Sequence, residues 1–175
     1  KFVRHPEGFF FFFSISSGIM FCLLIPPFQT PDEYIHFYRA YEVSEGNAPK
    51  FNQELKGAGS QLPVSISQTE SVVRAGGDQI RFNPREKYDI RDTKAAIFDV
   101  PLNKDNQKFY DTTQSDLRYF PINYLPQALF INIGKLMNMP VIIMVYLVRF
   151  GVLVIWAVAG YFAVKIIPWK KWSLV

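Results

Sequence analysis

Cysteine is nearly missing from this chain of 175 residues; the one present is Cys22. A single thiol cannot form an intrachain disulfide and does not make a zinc site. Charge is missing over long stretches. No charged residue lies between Gly8 and Thr30, and no acid between Leu117 and Val175. A soluble domain distributes charge more evenly than this. Short catalytic signatures are missing as well. There is no phosphate-binding P-loop, no GxSxG nucleophile elbow, no HExxH pair and no internal repeat.

What is present is grouped in blocks. The chain is 49% hydrophobic and 17% aromatic, yet residues 28–118 hold 12 of the Lys and Arg and 14 of the Asp and Glu. That middle is therefore slightly acidic, and the overall charge of +4 comes from the flanks. Basic residues beside apolar spans report membrane orientation, so the positive balance implies no nucleic-acid partner.

Gly8–Ile25 reads GFFFFFSISSGIMFCLLI, 18 residues without charge. As a helix it rises about 27 Å, close to the hydrocarbon thickness of a bilayer. It is long for the apolar core of a signal peptide, and it runs into Pro26-Pro27-Phe28 rather than a small-residue cleavage site. The expectation is a retained span over 8–27. A second span is expected over 140–167, where the apolar run Val141–Ile167 rises about 40 Å and crosses with tilt. Arg149 sits about two turns into it, where a cation either contacts an anionic lipid head group or snorkels to the near interface.

Lys1 and Arg4 precede the first span; Lys165, Lys170 and Lys171 close the second, beside Trp169 and Trp172. Both basic ends are expected in the cytoplasm, with the tryptophans in an interfacial belt. Residues 1–7 and 168–175 are then cytoplasmic, and 28–118 form an extracytoplasmic loop domain. Residues 119–139 are expected as an interfacial or re-entrant helix. Its helix-permissive part, Pro126–Asn138, is too short to span alone, and Pro140 separates it from the next span.

In the outer region, Thr30-Pro31-Asp32-Glu33 reads as a helix start, with Thr30 as cap and Glu33 as its reciprocal partner. An amphipathic helix is expected over 31–45, stopping near Gly46 and lying on the membrane surface by its aromatics Tyr34, Phe37, Tyr38 and Tyr41. Ala48–Pro63 reads as loop, Leu62–Val73 as a short strand by partial alternation, and Gly76-Gly77-Asp78 as a turn. An apolar patch falls at Ala95–Val100.

Asp32, His36, Arg39 and Val43 recur at helical spacing. A carboxylate at Asp32 or Glu33 can serve as general base toward a hydroxyl acceptor. With His36 as i,i+4 partner, Asp32 can instead hold a divalent cation, although two ligands fall short of a site. Arg39 or Arg149 can hold a phosphate or diphosphate. The plainer reading is structural: acids in a first turn favour the helix dipole, Glu33 completes a capping box, and His36 hydrogen-bonds Asp32.

Pro26-Pro27-Phe28-Gln29-Thr30-Pro31-Asp32-Glu33, followed by His36-Phe37-Tyr38-Arg39-Ala40-Tyr41, resembles the opening block of a family of multi-pass bacterial membrane proteins, domain of unknown function 2142. Tyr119-Phe120-Pro121, Tyr124-Leu125-Pro126-Gln127-Ala128-Leu129 and Tyr146-Leu147-Val148-Arg149 resemble its second block. That family in turn resembles the membrane glycosyltransferases of the C-type fold, which take sugars from polyprenyl phosphate outside the cytoplasm.

The resemblance implies a membrane α-helical fold: two transmembrane helices flank a mixed, mainly helical extracytoplasmic loop domain with surface-lying helices. It also implies that the chain is the N-terminal part of a longer, multi-pass protein of the plasma membrane. Asp32, or else Glu33, would be the catalytic carboxylate, and Tyr119–Met139 the second surface-lying helix. Arg149 would lie near the donor phosphate, and His36, Arg39 and Tyr124 would complete the substrate-binding set. The implied partners are a polyprenyl-phosphate-linked sugar, membrane lipid and a surface polysaccharide or other polymer as acceptor. No cofactor is expected, with a divalent cation as the alternative. The alternatives are a non-catalytic membrane scaffold and a transporter component for lipid-linked glycans.

Overall fold

Proline and apolar continuity set the two longest helices. In a computed structural model, which describes residues 5–46, 50–52, 57–82, 85, 91, 94, 100–111 and 120–167, α1 runs Pro6–Leu24 with proline in its first turn. It stops before Pro26-Pro27, which cannot continue a helix. The last helix, Val141–Ile166, begins where the Pro140 carbonyl accepts from Ile143 N and Met144 N. Both are long and apolar enough to cross a bilayer. The expected basic flanks Lys1, Arg4, Lys170 and Lys171, the belt residues Trp169 and Trp172, and most of the patch Ala95–Val100 lie outside the described residues.

Between these helices come α2 (Glu33–Ser44), β1 (Lys50–Asn52), β2 (Gly57–Pro63), α3 (Val64–Phe82) and β3 (Gln107–Asp111). A 3-10 turn, Pro121–Tyr124, then leads directly into α4 (Leu125–Leu136); the final helix Val141–Ile166 is α5. The chain divides into two compact units, one of residues 1–25 and 149–175, the other of residues 26–148.

The first unit is a helical pair. Gly18 of α1 faces Leu153 of α5, and Gly160 of α5 faces Phe10, each so closely that a Cβ would collide. Phe10 also tilts against Trp156 at 5.4 Å between ring centres, and Phe11 meets Tyr161 edge-on at 6.3 Å. Small residues that admit a neighbouring side chain are the usual means of packing helices where lipid supplies no hydrophobic drive.

The middle unit has a core contributed by nearly every element it contains. Phe28, Phe37, Tyr41, Leu62, Ile66, Tyr124, Ile131, Met144 and Val145 are all buried together. Each fully buried aliphatic side chain in such a cluster contributes about 1.5–3 kcal/mol. Two helix ends are closed by left-handed residues. Gly46 follows α2 at φ 70°, and Asn138 follows α4 at φ 49°. After α4, Met139 N reaches Gly134 O and Asn138 N reaches Lys135 O, the paired bonds of a Schellman motif.

The structure departs from four expectations. The stretch read as loop, Ala48–Pro63, contains β1 and β2, which join β3 in an antiparallel sheet of order β1-β2-β3. The Gly-rich β2 carries no alternating pattern, and its partner β3 arrives more than 40 residues later, so local sequence could not announce the pairing. Of the strand expected over Leu62–Val73, Leu62 and Pro63 end β2 and the rest is the start of α3, and Gly76-Gly77-Asp78 lies inside that helix rather than in a turn. Ile66, Thr69 and Val73 are buried at spacings of three and four, so the helical period prevails over the partial alternation. The aromatics of α2 do not form a membrane-facing surface, because Phe37, Tyr38 and Tyr41 are buried in the core.

Candidate functional site

The segment joining α1 to α2 is tightly folded. Phe28 adopts φ 60°, an uncommon backbone state for a bulky residue, and Asp32 adopts φ 61°. Such conformations cost about 1–3 kcal/mol each and persist only where surroundings impose them. Here the surroundings are identifiable. The Phe28 ring is buried and meets Phe37 edge-on at 5.8 Å. Glu33 Oε2 accepts from Phe28 N at 2.7 Å and from the Thr30 hydroxyl at 3.0 Å. Gln29 Nε2 donates to Val73 O of α3 at 3.1 Å.

Glu33 thus latches the segment to the helix. The expected pairing of Thr30 with Glu33 is present, but α2 starts at Glu33, with Asp32 in the cap position. The carboxylate bonds a backbone N–H five residues back, so the box is wider than the spacing suggested. Asp32 makes no side-chain capping bond to the helix and is exposed, and its carboxylate has no partner among the described residues. Its own carbonyl accepts the first helical bond, from His36 N at 3.0 Å.

His36 stands one turn further on, exposed. Its Nδ1 lies 2.9 Å from the hydroxyl of Tyr124, which is buried at the end of the 3-10 turn. The pairing expected from sequence, His36 with Asp32, is replaced by one spanning 88 residues. The structure therefore brings Asp32, His36 and Tyr124 into one neighbourhood at the head of α2.

Arg39 does not join them. It is 3% exposed and ion-pairs with the fully buried Glu42, whose other oxygen accepts from the Ser60 hydroxyl. This trio anchors α2 to β2. Sequence reasoning passed over Glu42 and Ser60; the i,i+3 spacing of Arg39 and Glu42 was the available signal. A second group ties α2 to α3. Glu70 accepts from the Tyr38 hydroxyl and from Arg74 Nη1, and the Arg74 guanidinium lies 4.2 Å from the Tyr34 ring centre. Burial, reinforced by the Glu45 charge, keeps the Tyr41 hydroxyl protonated well above the ordinary tyrosine range.

Arg149 belongs to the helical pair. Its Nη1 donates to Ile25 O at 2.6 Å and Cys22 O at 3.2 Å, carbonyls of the C-cap and the last turn of α1. Helix-end carbonyls lack intrahelical partners, and in lipid no water supplies them. Arg149 is thus a cap delivered from a neighbouring helix. Among the described residues no three His, Cys, Asp or Glu side chains converge as metal ligands.

The chain is mainly helical among the described residues and carries two helices long and apolar enough to cross a membrane. Residues 13–175 match the family model for the predicted membrane protein DUF2142, and the chain belongs to that family. No curated protein and no solved structure matches it.

Proposed function

We propose that this chain is part of a multi-pass membrane glycosyltransferase related to the C-type fold, with Asp32 as its general base. The observation that carries this reading is the contrast between two adjacent acids. Glu33 is engaged by Phe28 N and Thr30, whereas Asp32 is exposed in a left-handed backbone state with no side-chain capping bond. A carboxylate kept out of the helix's own hydrogen bonding remains available as a base.

In this mechanism the acceptor hydroxyl gives its proton to Asp32 as its oxygen attacks the anomeric carbon. The bond from that carbon to the polyprenyl phosphate breaks, and the lipid phosphate leaves with the electron pair. The anomeric configuration inverts, because one base and one leaving group act on opposite faces. His36, held by Tyr124, supplies a polar group beside the base for orienting the acceptor or the sugar. The basic flanks of the two spans support cytoplasmic ends, with residues 28–118 on the extracytoplasmic side.

The test is Asp32→Asn. Asparagine tolerates the left-handed conformation and the cap position but cannot accept the proton. Surface glycosylation should fall by roughly 100-fold or more at unchanged protein abundance, in line with loss of a general base. Unchanged glycosylation rejects the assignment and favours a non-catalytic scaffold.

A further inference from the structure

A hollow on a helix that crosses a bilayer is filled by its surroundings, because unfilled space forfeits dispersion contacts. The helical pair has such a hollow. Phe10 and Phe11 are neighbours on α1 with different places. Phe10 presses on Gly160, whereas Phe11 meets the Tyr161 ring edge-on. Tyr161 in turn meets Phe162 edge-on at 5.4 Å. Phe11, Tyr161, Phe162 and the shorter Val158 line a groove of about 230 Å³. Val158 and Phe162 are exposed, so the groove opens away from the pair.

We propose that this groove seats an acyl chain of an anionic phospholipid whose phosphate is met by Lys165. Val158, Tyr161, Phe162 and Lys165 follow at spacings of three, one and three, which places all four on one face of α5. Lys165 is exposed in the last turn of that helix. Its Nζ lies 5.8 Å from the Tyr161 ring centre, so the cation turns back along the helix toward the groove. Between Lys165 and the groove walls the helix rises about 5–10 Å. That matches the polar zone of about 5–8 Å between the outer surface of a bilayer and its hydrocarbon.

The walls on α5 extend over residues 158–162, about 6 Å of axis and little more than one turn. A flexible chain fits so short a seat better than another helix does. Charge favours an anionic head group. Gly18 faces Leu153 while Phe10 faces Gly160, so the pair is antiparallel and the start of α1 lies beside the end of α5. In sequence, Lys1, Arg4, Lys165, Lys170 and Lys171 all fall at or next to that end. Glu7 is the one acid in residues 1–25 and 149–175, and its Oε2 is buried. Cations clustered beside a span favour anionic lipid. The site lies wholly within the helical pair and does not rest on Asp32.

The test puts a fluorescent reporter in the groove. Phe162→Trp is combined with Trp156→Phe, Trp169→Phe and Trp172→Phe, and the full chain is reconstituted in phosphatidylcholine vesicles. Phosphatidylglycerol or phosphatidylcholine brominated on its acyl chains is added at equal fractions, and quenching of the reporter is compared. Phosphatidylglycerol should be preferred about five-fold, the effect of one lysine at a lipid surface. Lys165→Gln should remove that preference, and Lys165→Arg should keep it. An unchanged preference in Lys165→Gln overturns the proposal, because the charge then acts from the flanks at large. Equal quenching by both lipids in the parent leaves ordinary boundary lipid and overturns it as well. So does the lack of quenching by either, which shows a protein surface over the groove. Val154→Trp, one turn away on the same face, repeats the reading should Phe162→Trp fail to fold.

Discussion

Asp32 and Glu33 are neighbours of the same chemical type with opposite placements. Glu33 accepts a backbone N–H and a hydroxyl, so its removal leaves Phe28 N without that acceptor in a partly buried turn. Glu33→Ala should cost about 1–3 kcal/mol in thermal unfolding, and Glu33→Gln, which keeps an acceptor oxygen, clearly less. Equal losses in the two variants would mean that charge near the helix start, not the hydrogen bonds, is what matters. Sequence spacing already linked Thr30 to Glu33. It did not foresee Phe28 N as a partner, because that contact depends on a left-handed turn at a bulky residue. His36 was legible as a candidate, but its partner was not: Tyr124 is remote in sequence, and the pair exists only once α2 and the 3-10 turn pack. Arg39 was legible only as a charge on a helix, and burial decided its role.

Helices were more readable than strands. The apolar runs of α1 and α5 and the proline boundaries around α4 specify those elements locally. The sheet is different, since β2 pairs with β3 across a long separation and neither strand alternates cleanly. Between α1 and α5 the instructive contact is the cap from Arg149. Arg149→Leu removes the donor to Cys22 O and Ile25 O and should destabilise the helical pair by about 1.5–3 kcal/mol in detergent unfolding. Arg149→Lys should recover part of that loss, as it keeps a cationic donor of shorter reach. A leucine variant as stable as the parent would show that the cap contributes nothing.

For the protein in its membrane, the prediction concerns sidedness. Basic flanks on both spans call for cytoplasmic ends and an external middle. Asn103→Cys in the Cys22→Ser background should react with a membrane-impermeant maleimide on intact cells; reaction only after lysis reverses the topology. A membrane location and two helices of spanning length are legible in the uncharged runs, because transfer of apolar length into lipid is additive along the chain and needs no knowledge of neighbours. Which acid stays exposed and which arginine turns inward are of another kind. They arise when α2, α3, α4 and β2 close over one core, and burial there depends on residues tens of positions apart.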